Sequence, residues 1–158
     1  MGKVTDIAVK VQGVAAVKLY ERDFYAWTQE QAALLKERNY PCLDVENLVE
    51  EIESMGRSER REISSRMEQL LMHLLRWIVQ PGLRGRSWRA SIRNQRRELD
   101  RVLRDNPSLR RNLPDTFLDA YPVAVGMTED ETGLPQRAFP ADPSFTLTQA
   151  LDMDWMPD

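Results

Sequence analysis

Between Asp44 and Gln80 the apolar side chains recur three and four residues apart: Val45, Leu48, Val49, Ile52 and Met55, then Ile63, Met67, Leu70, Leu71, Leu74, Leu75 and Ile78. That interval puts them on one face of an α-helix. A charged run from Gly56 to Glu62 separates the two sets. Ile52 and Ile63 nevertheless stand about three turns apart at ~3.6 residues per turn, so the stripe keeps its phase. One bent helix satisfies this pattern, and so do two helices broken at Gly56. A straight helix would measure roughly 55 Å at ~1.5 Å per residue. A compact chain of this length is only ~40 Å across. The comparison favours a break near Gly56, with Ser58 capping the second half.

The flanking segments are read in the same way, with helices near 23–39, 44–56, 58–79, 87–105 and 114–132 and a short one near 147–152. In the first, Asp23 or Thr28 is the N-cap, and Phe24, Trp27, Gln31, Leu34 and Leu35 mark the buried side. Pro41 ends it, and Asp44 caps the long apolar stretch. The turn PGLRGR precedes a helix capped by Ser87, whose core stripe is Trp88, Ile92, Gln95, Leu99, Val102 and Leu103. Pro114 opens the next helix, Pro122 should kink it, and Gly133 stops it. Beyond it lies a tail with four prolines, where Thr146 and Gln149 have capping-box spacing. Phe139, Phe145, Leu147, Leu151 and Trp155 are expected to clamp that tail. Residues 1–19 show no clean period and are set aside as a leader. The expectation for 20–158 is a single all-α domain: a compact bundle of about five main helices with an irregular, Pro-rich C-terminal tail.

Several function classes are poorly supplied. No apolar run approaches the ~20 residues of a membrane span, so no membrane partner is expected. The N-terminal stretch lacks the concentrated apolar core of a signal peptide. A single cysteine, Cys42, cannot form an internal disulfide and suits a reducing compartment, which makes cytoplasm the expected location. One cysteine and one histidine cannot complete a structural zinc site. No Gly-rich phosphate loop is present, and no cofactor is expected.

His73 is the one ionisable group that could anchor acid–base or metal chemistry. It lies to one side of the apolar stripe, while Glu46, Glu50 and Glu53 form a row on the flank of the first half. If the halves fold back on each other, His73 with Glu50 and Glu53 could hold a divalent ion, as carboxylate bundles do. Those bundles use two Glu-x-x-His elements, and none occurs here. The plainer expectation is a boundary histidine hydrogen-bonded to a glutamate.

Charge is distributed unevenly. Residues 84–111 carry ten arginines against three acids, whereas residues 112–158 carry one arginine against nine acids. Arg93, Arg97, Arg101 and Arg104 fall opposite Trp88 and Ile92, facing outward. Arg89, Arg93, Arg97 and Arg101 follow one another at i+4, where each like-charged pair costs a few tenths of a kcal/mol (~0.2–0.5). Arg96–Asp100 and Arg101–Asp105 relieve only part of this. Anions nearby would relieve the rest, supplied by the acidic tail, by solvent ions or by nucleic-acid phosphate.

The blocks DFYAWTQEQAALL, DVENLVEEIESMGRSERREI, LLMHLLRW, SWRASIRNQRREL, PSL, ETGLP and DMDWMP occur in this order. Together, from about Tyr20 to Pro157, they resemble the bacterial domain-of-unknown-function-29 family. The resemblance implies a small all-α protein and carries over no catalytic residues. The leading functional expectation is a non-enzymatic helical protein-interaction module, self-associating or partner-binding, with an outward Met72 suited to adaptable contacts. The alternative is nucleic-acid or anion binding through Arg93, Arg97, Arg101 and Arg104. A metal-dependent enzyme at Glu50, Glu53 and His73 comes last.

Overall fold

The computed structural model describes residues 19–158. The leader reading for residues 1–19 falls almost wholly outside them. Among the described residues the protein is all-α, with no strand. A helical turn at 19–22 is followed by α1 (Phe24–Lys36), α2 (Val45–Val79), α3 (Arg86–Asp105), α4 (Leu113–Thr132) and the short α5 (Leu147–Leu151). The chain gathers into two compact units that divide at Gly56.

The division falls inside α2, which is a single helix of 35 residues and does not break at Gly56. The expected break presupposes one compact body, and the chain forms two. Local chemistry also permits continuity. One interior glycine costs only ~1 kcal/mol, and the arginines and glutamates around it are good helix formers. Glu62 accepts from Arg66 Nε at 2.9 Å, and Asn106 Nδ2 donates to Glu59 Oε2 at 2.8 Å, which holds the charged run in register.

The first unit is held by polar and aromatic contacts. Asp23 caps α1 by accepting from Ala26 N at 2.9 Å. Asp44 caps α2: Oδ1 accepts from Asn47 N at 3.4 Å, and Oδ2 accepts from Asn47 Nδ2 at 2.7 Å and from the Trp27 indole at 3.1 Å. The Asp44 N–H donates to Gln31 Oε1 at 2.9 Å. Trp27, Gln31 and Asp44 are all buried. Tyr20 packs edge-on against Trp27, Phe24 stacks on Trp27, and Tyr20 OH donates to Glu51 Oε1 at 2.6 Å. Phe24 and Leu35, expected inside, are exposed.

The second unit has the aliphatic core. Ile63, Met67, Leu70, Leu71, Leu74 and Leu75 of α2 are buried in one cluster with Ile92, Leu99, Val102 and Leu103 of α3 and Phe117, Ala120, Tyr121 and Ala124 of α4. Met72 belongs to this cluster too and does not face outward. The helix α3 starts at Arg86, one residue before the expected cap, with Gly85 at the cap and no side-chain bond there. The helix α4 continues through Pro122 and ends on Gly133, whose φ of 71° favours glycine. Thr146 and Gln149 form the expected capping box at α5.

The tail is clamped as expected, partly through backbone carbonyls. Phe139 and Phe145 are buried, and Trp77 Nε1 donates to Pro157 O at 3.0 Å. Arg96 Nε donates to Ala150 O at 2.8 Å and one of its terminal nitrogens to Trp155 O at 2.9 Å.

Candidate functional surfaces

Three surfaces carry the candidate residues, and the first is apolar. In the first unit Val45, Val49, Ile52 and Met55 of α2 are 57, 49, 61 and 62 % exposed. At ~100° per residue they fall within roughly 120° of arc, one stripe along one helix. Glu46 borders the stripe on one side and Glu51 on the other, by the same angular count. Scattered apolar side chains on a surface are ordinary, whereas a contiguous stripe marks a contact site. Tyr20 carries a raised pKa because its hydroxyl is bonded to Glu51, reinforced by some burial and by that carboxylate's charge. The phenol therefore stays the donor in its bond to Glu51 Oε1.

The second surface is the arginine face of α3, and it departs from the expected set. Arg101 is engaged with Glu98 at 2.9 Å and Asp105 at 3.9 Å, and Arg104 with Asp100 at 3.4 Å. Asp100 also faces Arg110 at 4.0 Å and makes no pair with Arg96. Arg93 and Arg97 have no ion pair among the described residues. With Arg86, Arg89 and Ala90 they line an open groove of about 310 Å³. Arg89 lies over the Trp77 ring, 5.5 Å from its centroid, and Arg84 lies 5.3 Å from the same ring. Among the described residues no acid of the tail forms an ion pair with Arg93 or Arg97. One of its acids, Glu131, pairs instead with Arg76, which also stacks over Trp88 at 4.4 Å.

Arg96, expected to pair with Asp100 along the helix surface, is 2 % exposed. Four residues from Ile92 and three from Leu99, it stands at the edge of the core stripe on the helical wheel. Burial lowers its pKa, with Asp152 working in the opposite direction. Its role is to hold the tail.

The third candidate, His73, does not assemble. That cluster was argued from a break in α2, and α2 is one continuous helix from Val45 to Val79. Among the described residues no three His, Cys, Asp or Glu side chains gather to hold a metal. The expected glutamate bond to His73 is also missing among those residues. Burial pushes the imidazole pKa down, Arg76 adds to the effect, and Glu131 opposes it. A polar groove of about 280 Å³ between α2 and α4 is lined by Arg60, Ser64, Glu68, Asp115, Thr116 and Asp119, with neither His nor Cys to serve as base or nucleophile.

The family model for Domain of unknown function DUF29 matches residues 19–156. The chain belongs to the DUF29 family. The expected resemblance thus holds over nearly all the described residues. No curated protein and no solved structure matches this chain. In this DUF29 protein no helix among the described residues is long and apolar enough to cross a membrane. Arg86 is the groove residue that sequence reasoning missed, and Arg89 was named only for its i+4 spacing. Arg86 shares the arc of Arg93 and Arg97, Arg89 lies on its flank, and only the folded surface shows which arginines have an acidic neighbour.

Proposed function

We propose that this DUF29 protein is a non-enzymatic helical interaction module whose contact face is the stripe Val45, Val49, Ile52 and Met55. The observation that carries the reading is the exposure of these four side chains on one arc of α2. The occupant that fits is a basic amphipathic helix of another protein. Asp44–Met55 contains no basic residue, and Glu46 and Glu51 border the stripe. A second copy presenting the same face would set like charge against like, which is destabilising across a helix pair. A basic helix would cover the apolar stripe and pair its rim, the helix-in-groove mode of recognition.

The test uses two labelled helical peptides with the same leucine face, one with lysines on its polar face and one with glutamates. The lysine peptide should bind, more weakly as salt rises, and Val49→Glu with Ile52→Glu should abolish binding. Failure of the lysine peptide to bind, or binding that survives the double substitution, overturns the reading. If sedimentation instead shows a dimer of the intact chain that the same substitutions dissociate, the occupant is a second copy and the hetero-partner reading falls.

A further inference from the structure

We propose that the groove on α3 lined by Arg86, Arg89, Arg93 and Arg97 binds a condensed phosphate chain, gripping the phosphates and leaving the rest of the ligand outside. This site lies in the second unit and stands independently of the stripe on the first.

Charge is the first argument. The acids along α3, Glu98, Asp100 and Asp105, are engaged by Arg101, Arg104 and Arg110. No acidic residue lines the groove. Arg86, Arg93 and Arg97 have no ion pair among the described residues. The steps Arg89 to Arg93 and Arg93 to Arg97 each set like charges one helical turn apart, a destabilising spacing. An anion placed among them removes that repulsion, so the fold itself favours occupancy.

The kind of cation is the second argument. Residues 84–111 contain ten arginines and no lysine. A guanidinium offers a planar fork of donors that fits two oxygens at once, whereas an ammonium is a point charge. Arg89 is held over the Trp77 ring, and Trp77 is itself fixed by its bond to Pro157 O. One fork is therefore set in place before a ligand arrives.

Shape gives the chemical class. Four arginines line about 310 Å³ of open groove, and the only other lining residue is Ala90. There is no aromatic platform for a base and no apolar wall for a ring or acyl chain. A lone carboxylate leaves most of that charge unmatched. Two or three condensed phosphates place several negative charges and many acceptor oxygens in the same space. The steps along the row are ~6 Å, short enough for neighbouring arginines to share one such chain. Inorganic polyphosphate and the phosphate chain of a nucleotide both present this chemistry.

Calorimetry at low salt on the full chain tests it, with inorganic tripolyphosphate as the primary probe. Tripolyphosphate should bind one to one, and ATP should bind with similar affinity because the base touches nothing. Arg93→Ala with Arg97→Ala should weaken binding about tenfold or more, as the loss of charge-assisted hydrogen bonds implies. Arg101→Ala with Arg104→Ala should change it by less than about twofold, those side chains being already paired. Circular dichroism of both variants verifies that the helices remain. No tripolyphosphate binding overturns the proposal. Equal binding of polyglutamate also overturns it, by reducing the groove to a general cationic patch. Tighter binding of a DNA duplex, with a steeper salt dependence, overturns it in favour of a nucleic-acid backbone. Much tighter binding of ATP than of tripolyphosphate shows that the base is recognised and overturns the phosphate-only assignment.

Discussion

The two halves of α2 share one helix and one apolar phase but meet different surroundings. Val45, Val49, Ile52 and Met55 are exposed, whereas Ile63, Met67, Leu70 and Leu74 are at most 3 % exposed. The second half packs on α3 and α4, whose own apolar stripes complete the cluster. The described part of the first unit offers α2 mainly the aromatic group of Tyr20, Phe24 and Trp27 and the Asp44 hydrogen-bond hub. Apolar periodicity therefore reports which face a helix would bury. It does not report whether anything is there to bury it.

The largest test of this contrast is a matched pair of truncations. Leu74→Ala removes a wholly buried side chain and should cost about 2–5 kcal/mol of unfolding free energy. Ile52→Ala should change stability by no more than about 0.5 kcal/mol, as at other exposed sites. Urea titration of the two variants measures both. A large loss for Ile52→Ala would mean that the stripe is covered in solution and would erase the contrast.

A smaller effect is expected at the junction of the halves. Gly56 lies in the helix interior, and a Cβ there would meet nothing within 4 Å. Gly56→Ala should raise stability by up to about 1 kcal/mol through helix propensity and a stiffer unfolded chain. Thermal unfolding reads this directly. A lower melting temperature would show that the continuous helix is not the preferred state at Gly56.

The smallest effect concerns pH and the second half alone. The folded pKa of His73 lies below its ordinary 6.5, so the unfolded chain takes up the proton first. This term leaves stability undiminished above about pH 6.5 and lowers it as pH falls through that value towards the folded pKa. His73→Gln should shrink the difference in melting temperature between pH 7.5 and pH 5.5. An unchanged difference would show that His73 is not the titrating group.

Much of the fold was legible because its signals are local. The caps at Asp23, Asp44 and Thr146 depend on side chains reaching the next turn of their own chain. Gly133 ends α4 because its backbone conformation suits glycine. The core stripes of α2 and α3 followed from helical phase. The errors arose where a neighbour decided the outcome. Ser87 lost the cap position to Gly85, and Met72 turned inward. Arg96 invites a surface pairing with Asp100 because arginine is seldom buried, yet the carbonyls of Ala150 and Trp155, more than fifty residues away, accept its donors.

The candidate surfaces divide in the same way. The arginine run is a property of the sequence, since the seven arginines on α3 cannot all be hidden on one helix. Which of them remain without an acidic neighbour is tertiary, because Arg101 and Arg104 are engaged while Arg93 and Arg97 are not. By itself the sequence determined the all-α class, most helix positions and the phase of the long apolar stripe, because these follow from backbone geometry and contacts within a few residues. Only the tertiary structure decided that α2 runs unbroken through Gly56, that its stripe is buried at one end and bare at the other, and that four arginines share one groove. Burial and pairing depend on which distant segments arrive beside a residue, and spacing along the chain does not encode that arrival.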